Sequence, residues 1–109
     1  MVAKIVLRDK DGNYHDCVLM LGHNYVYDVD ECDLDQRVAS EVIGEIKSKI
    51  AYLKMMQIDE MIPKHKATMS DPELFSRESF VDEFNLHLNA WLKVLDMAED
   101  YPNDTIVCV

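Results

Sequence analysis

The stretch AKIVLRDKDGNYHDCVLML, residues 3–21, decides the fold because it has the pattern of a β-hairpin. Its first six residues are rich in β-branched side chains, which favour strands. The DKDGN that follows is typical of a turn, and its Gly12 can adopt a positive φ. YHDCVLML then predicts the return strand, and both of its faces become apolar toward the end. We therefore expect a strand that is partly covered on each side.

The rest of the chain predicts one more strand, two helices and a terminal strand. YVYDV, residues 25–29, has the alternation of a third strand. Apolar residues recur at helical spacing over about 34–62, and Pro63 is expected to end that helix. A second helical stripe covers about 78–99. TIVCV, residues 105–109, is β-branched and apolar, and it predicts a strand that joins the sheet.

This order, βββααβ, predicts an α+β fold. We expect a small, mostly antiparallel sheet, made of an N-terminal three-stranded meander plus the C-terminal strand and packed by two helices. The length of 109 residues suits a single domain over 1–109, and a hydrophobic content of 49% suits a packed core.

The composition also predicts a compartment. No apolar run reaches the 18 residues of a membrane span, and the short apolar start followed by charges does not fit a secretory signal. The three cysteines, Cys17, Cys32 and Cys108, are an odd number without CxxC spacing, so we expect reduced thiols rather than a disulfide framework. The chain is expected to be cytoplasmic.

The charge is strongly negative, with 21 acidic against 11 basic residues and a formal net charge of −10. Affinity for nucleic acids depends largely on contacts between basic side chains and phosphates, so direct nucleic-acid binding is not expected. Anionic membrane surfaces are disfavoured for the same reason. A basic protein, or the basic nucleic-acid-binding groove of a larger protein, is the natural partner. The alternative is that the charge only maintains solubility.

Five carboxylates crowd the stretch YDVDECDLDQ, residues 27–36. A calcium loop that started at Asp28 would need an oxygen ligand at its fifth position, glycine at its sixth and glutamate at its twelfth, and the sequence lacks all three. Helix capping explains two of the acids, because Asp33 with Gln36 has the form of a capping box and Asp35 would lie in the first helical turn. Other acids in the stretch need another explanation.

We predict that the remaining acids bind a protein partner. Asp28, Asp30 and Glu31 lie where the third predicted strand leaves the sheet, and Asp9 and Asp11 mark the hairpin. In size and charge, though not in any motif, the chain resembles the small acidic inhibitors that phages and mobile elements encode against nucleic-acid-processing defence proteins. That resemblance implies a non-enzymatic inhibitor that acts through an acidic surface. The alternative for these acids is an ordinary solvated surface.

Two other classes of function stay open. A small-ligand or nucleotide-binding protein would have a pocket between sheet and helices lined by Tyr25, Tyr27 and Trp91. A small enzyme would use His87 or His15 as an acid or base, although the sequence places no nucleophile beside either.

Neither a cofactor nor a metal is expected. His15, Cys17, His23 and Cys32 could supply four zinc ligands, but their spacing matches no familiar zinc motif. MMQIDEMI, residues 55–62, has apolar side chains on more than one side of the predicted helix, and the excess suggests a homodimer or partner contact.

Overall fold

The N-terminal hairpin is present in the computed structural model, which describes residues 3–109. Strands β1, Ala3–Arg8, and β2, Tyr14–Met20, pair antiparallel with Ile5 opposite Val18. Gly12 takes a φ of 86° in the turn between them. This is the left-handed region that glycine enters without a steric penalty. The hairpin and its turn chemistry are therefore confirmed.

The C-terminal tail completes the sheet. Strand β3, Thr105–Cys108, pairs antiparallel with β1 on the side away from β2, so the strand order is β2-β1-β3. Ile5 lies opposite Cys108, and Arg8 lies opposite Thr105. The N-terminal strand β1 is thus central and pairs with the C-terminal strand β3. The predicted terminal strand is confirmed.

Residues 25–29 form a turn rather than the third strand that their alternation predicted. The backbone N–H groups of Tyr27 and Asp28 both donate to the carbonyl of Asn24, at 3.0 and 2.8 Å. These two donors are therefore not available for pairing with a strand. The sheet of the described chain has three strands, and its small, antiparallel character and the α+β class are confirmed.

The described chain has three α-helices: α1, Ala39–Met55, α2, Ile58–Lys66, and α3, Arg77–Asp100. Helix α3 packs against β2 and β1, and α1 packs against α3. The single helix expected over 34–62 is wrong in extent, because Met56 and Gln57 have extended backbones that separate α1 from α2. Pro63 lies inside α2, which ends three residues later. Among the described residues, no helix combines the length and apolar character needed to cross a membrane.

The start of α1 is stabilised differently from the capping that we predicted. Its N-cap residue is Val38, which makes no side-chain cap hydrogen bond. The first helical N–H groups, of Ala39 and Ser40, instead donate to the carbonyls of Asp104 and Pro102. Both acceptors belong to the segment that leads into β3, so tertiary contacts satisfy the donors that a capping side chain would otherwise satisfy.

The capping roles predicted for Asp33 and Asp35 are therefore wrong. The Asp33 carboxylate pairs with Lys49 at 2.9 Å. The Asp35 carboxylate accepts a hydrogen bond of 2.8 Å from the backbone N–H of Cys108. Both acids tie other elements to the segment before α1.

The core lies between the sheet, α1 and α3. It is formed by fully buried aliphatic and aromatic side chains from all three, among them Ile5, Leu7, Met20, Leu34, Val42, Ile46, Leu53, Trp91, Val94 and Ile106. The predicted stripe on α3 is confirmed, with Phe80, Phe84, Trp91 and Ala98 buried and Leu88 and Leu95 packed against them.

Candidate functional site

The five predicted partner-binding acids do not form one surface. Asp9 and Asp11 follow the C-terminal end of β1. Ile5, four residues before Asp9, pairs with Cys108, whose thiol donates to the carbonyl of Glu31 at 3.0 Å. Four residues of a strand span about 13 Å. The hairpin acids are therefore separated from the group around Glu31 along the sheet.

At the hairpin, the Asp9 carboxylate stabilises the turn. One of its oxygens accepts hydrogen bonds of 2.9 Å from the backbone N–H groups of Asp11 and Asn13. The bond from Asn13 is the main cause of a lowered pKa for Asp9. The Asp11 side chain, in contrast, is exposed and has no ion-pair partner among residues 3–109.

Near the end of β3, three acids surround two thiols; we call Asp30, Glu31 and Asp35 the acidic corner. Burial, together with the charges of Asp35, Cys32, Glu31 and Asp30, raises the pKa of the Cys108 thiol to about 12. The pKa of Cys32 is also raised, by burial and by the same acids. Both thiols therefore stay protonated at neutral pH, which makes them poor nucleophiles.

The acidic corner lacks a basic counterpart within the described chain. No lysine or arginine of residues 3–109 lies within ion-pair distance of Asp30, Glu31 or Asp35. Asp30 accepts a hydrogen bond from the backbone N–H of Cys32 at 2.9 Å, and Asp35 holds Cys108. These contacts fix two of the carboxylates in place but leave their negative charge uncompensated.

Asp28 belongs to a different cluster, with His23 and His87. Its Oδ2 lies 3.5 Å from Nδ1 of His23, and its Oδ1 lies 3.7 Å from Nε2 of His87. The His23 and Asp28 side chains are 33% and 30% exposed, whereas His87 is fully buried. One ligand atom from each of the three residues lies within 4.8 Å of the others. We call this the histidine–aspartate cluster.

Gly22 brings this cluster together. It has a φ of 78°, and a Cβ there would lie 2.0 Å from the Glu83 carbonyl oxygen and 2.8 Å from the backbone nitrogen of His87. The loop can therefore touch the backbone of α3 at this point because it lacks a side chain. The Tyr27 hydroxyl donates to the Gly22 carbonyl at 2.6 Å and closes the loop on itself. His23 is thereby held beside His87, with ring centroids 5.4 Å apart.

Burial keeps His87 uncharged. Loss of solvent lowers its pKa, His23 lowers it further, and Asp28 opposes the shift. The backbone N–H of Val29 points at Nε2 from 3.5 Å, whereas Nδ1 has no partner in hydrogen-bond geometry. The backbone of Leu21 approaches the ring closely enough to raise the pKa slightly. His87 is thus a neutral ring inside the protein, out of reach of a large substrate.

Both ring nitrogens of His15 contact carboxylates at the hairpin, away from the histidine–aspartate cluster. Its Nδ1 lies 2.6 Å from Oδ2 of Asp104 and its Nε2 lies 3.1 Å from Oδ2 of Asp9. A catalytic histidine needs one nitrogen free for a nucleophile or substrate, and here both nitrogens face carboxylates. No motif marks Asp104 as the partner of His15, because 89 residues separate the two in the chain.

The aromatic pocket expected between sheet and helices is filled by its own side chains. Tyr27 is 1% exposed and Trp91 is fully buried, so neither lines an opening. Tyr27 packs edge-to-face against Phe84, with ring centroids 5.1 Å apart. Tyr25 is exposed on the surface, where its hydroxyl donates to the carbonyl of Lys64.

The four residues considered as zinc ligands, whose spacing matches no zinc motif, are dispersed. His15 contacts Asp9 and Asp104, Cys17 is exposed on β2, and Cys32 lies at the acidic corner. Of the four, His23 alone enters a cluster that could hold a metal, and its partners there are residues that the spacing did not suggest.

A groove of mixed polarity lies where α1 meets α2. Met55 and Tyr52, 80% and 53% exposed, line it with Met56, Met61 and Val26 on its apolar parts and with Gln57, Glu60 and Lys64 on its polar parts. Part of the methionine-rich stretch is thus on the surface. A homodimer contact through it remains a prediction.

Comparison of the chain with protein-family models, with curated proteins and with solved structures found no match.

Proposed function

We propose that the protein is a non-enzymatic interaction module that binds a basic protein partner through the acidic corner. The observation that supports this is the concentration of Asp30, Glu31 and Asp35 around Cys108 without a lysine or arginine counterpart in the described chain. Their negative charge would attract the positive surface of a basic partner.

The charge of the whole chain favours the same class of partner. A formal net charge of −10 attracts basic surfaces over a distance of about one Debye length, close to 8 Å at physiological salt. The preferred partner is the nucleic-acid-binding groove of a larger protein, because such grooves combine concave shape with clustered lysine and arginine. Occupying that groove would make the protein an inhibitor of nucleic-acid processing, of the kind that phages use against host defence. Because its three cysteines are free thiols, as is usual in a reducing compartment, we propose that the protein acts in the cytoplasm.

The alternative functions have less support. Binding of a small ligand between sheet and helices would need an opening where Tyr27 and Trp91 are packed. Histidine catalysis would need a ring with a free nitrogen and an approach for substrate, whereas His15 is held by two carboxylates and His87 is buried.

The test removes charge from the acidic corner and leaves Asp28 and Asp35 untouched, since these two acids contact His87 and Cys108. The variant Asp30→Asn/Glu31→Gln is compared with Glu78→Gln/Asp82→Asn, which removes the same charge from exposed positions of α3. Partners are captured from a native lysate, identified, purified and measured over a salt series. We expect slower association and a flatter salt dependence for the first variant alone.

Competition tests the kind of groove. Duplex DNA added to the purified complex should displace the protein if both occupy one basic groove. Equal association rates for the two charge-matched variants would show that the acidic corner is an ordinary solvated surface and would refute the proposal. A partner that is not basic would refute it as well.

A further inference from the structure

The histidine–aspartate cluster has nitrogen–oxygen distances that are longer than those of hydrogen bonds. The two nitrogen–oxygen distances, 3.5 Å from His23 to Asp28 and 3.7 Å from His87 to Asp28, exceed the range of about 2.7–3.2 Å that N–H···O hydrogen bonds occupy. In a tetrahedral zinc site with bonds of about 2.0–2.1 Å, two ligand atoms are separated by about 3.3–3.4 Å. The observed separations are therefore closer to those between ligands of one ion.

The contrast with His15 shows what a direct contact looks like in the same protein. Its ring also lies between carboxylates, but at 2.6 and 3.1 Å, which are hydrogen-bond distances. No ion fits between atoms that are already that close. The wider spacing around Asp28 is thus a property of this cluster and not of every histidine–aspartate pair in the protein.

Nε2 of His87 and the Asp28 carboxylate both offer lone pairs to the cluster. The Val29 N–H points at Nε2 of His87, so this nitrogen carries a lone pair and the ring proton is on Nδ1. A ring nitrogen has one lone pair, so an ion bound there would take the place of the Val29 N–H, whose contact of 3.5 Å is longer than an ordinary hydrogen bond.

We propose that His23, Asp28 and His87 form a zinc-binding site, with Nδ1 of His23, one carboxylate oxygen of Asp28 and Nε2 of His87 as the three protein ligands. Two imidazoles and one carboxylate suit Zn²⁺, whereas Ca²⁺ and Mg²⁺ prefer oxygen ligands alone. His23 and Asp28 are each about one-third exposed, so an ion can enter and water can occupy a fourth position. The negative charge of the chain favours any cation there.

The loop that carries two of the ligands is preorganised. The backbone N–H of Asn24 donates to Oδ1 of Asp28 at 2.7 Å, which fixes the orientation of the carboxylate. Gly22 and the Tyr27 hydroxyl hold the loop against α3, as described above. Ligands that are already held in place lose little conformational freedom when an ion binds. Because these contacts and the core do not involve the ion, zinc should stabilise the fold by mass action without being required for it.

The test uses Zn²⁺ itself and protein stripped with a chelator. Isothermal titration should show one zinc ion per chain, and Co²⁺ should give the visible absorption of a tetrahedral site. His23→Ala and Asp28→Asn should each weaken zinc binding by more than about tenfold, since losing even a group that orients a ligand costs about 10–100-fold. Both changed side chains are partly exposed, so the variants should fold, which circular dichroism checks.

His15→Gln is the matched control, because it removes a histidine that also faces two carboxylates. It should leave zinc affinity unchanged. Absence of one-to-one binding would overturn the proposal. Equal weakening in all three variants would do so too, because it would indicate adventitious binding to an acidic surface. A further readout is the melting temperature, which zinc should raise in the parent and in His15→Gln but not in His23→Ala.

Discussion

The Nδ1 atom of His15 lies 2.6 Å from Oδ2 of Asp104, although 89 residues separate them in the chain. The other ring nitrogen faces Asp9 at 3.1 Å. The contact joins the end of the hairpin to the start of β3, and the Tyr101 ring packs beside it with centroids 4.7 Å apart.

Breaking this contact should destabilise the fold. Asp104 is buried, so Asp104→Asn leaves His15 without its charged acceptor, and we expect a loss of about 1–3 kcal/mol. Asp96→Asn changes an exposed acid of α3 and should alter stability by less than about 0.5 kcal/mol. Urea denaturation at neutral pH measures both. Equal midpoints for the two variants would mean that the His15–Asp104 contact contributes little.

Gly22 and Gly44 should respond in opposite directions to the same substitution. Gly22→Ala places a methyl group 2.0 Å from a backbone oxygen of α3 at a positive φ, so it should cost at least about 1–3 kcal/mol. Gly44→Ala lies inside α1 with nothing within 4 Å, and it should stabilise by about 1 kcal/mol through helix propensity. Thermal melting of the two variants gives the comparison. A stable Gly22→Ala protein would show that the loop is not held against α3.

The buried ring of His87 gives the protein a defined sensitivity to acid. Its pKa in the folded state is lowered below the ordinary 6.5 by burial, so below that pH the unfolded chain binds more protons than the folded protein does. Stability from this group is therefore complete above about pH 6.5 and declines as the pH falls toward the folded-state pKa. The expected observation is a His87 ring that is less than half protonated at pH 6.5 in imidazole ¹H–¹⁵N spectra, whereas histidines of the urea-unfolded chain are about half protonated. A His87 ring that titrates at or above pH 6.5 would contradict the assignment.

The sequence predicted those elements whose signals are local. The β-branched run, the turn with Gly12 and the return strand are contiguous, and the hairpin formed as expected. The α3 stripe repeats over six turns, and its bounds differ from the prediction by one residue at each end. Where a pattern is long or a turn residue is decisive, local preference and tertiary packing agree.

Elements that depend on distant contacts were not predictable in this way. The alternation of residues 25–29 reflects one buried tyrosine, Tyr27, between surface residues of a turn, and five residues cannot distinguish that from a strand. The start of α1 depends on carbonyls of Pro102 and Asp104, more than sixty positions away. No capping motif could have revealed them.

The candidate sites show the same difference between local signals, which the sequence contains, and distant contacts, which it does not reveal. The sequence marked Asp28, Asp30 and Glu31 as one group because they are neighbours, but the loop directs Asp28 toward His23 and His87 and the other two toward Cys108. His87 lies on α3, and the close approach at Gly22 that brings it to the loop has no signature beyond a glycine.

The last prediction concerns β3, the strand that the C-terminal segment adds to the sheet. Ile106 of β3 is fully buried, whereas its neighbour Val107 is partly exposed on the other face of the sheet. Ile106→Ala removes buried carbon from the core and should cost about 2–5 kcal/mol. Val107→Ala changes the same strand on its more exposed face and should cost less than about 1 kcal/mol. The backbone of Ile106 accepts from the N–H of Gln36 and donates to the carbonyl of Arg37. Ile106→Ala keeps these bonds but weakens the packing that holds them, so hydrogen exchange should become faster at the amides of residues 36 and 106. If the two alanine variants unfold at the same urea concentration, β3 does not contribute to the core as the structure indicates.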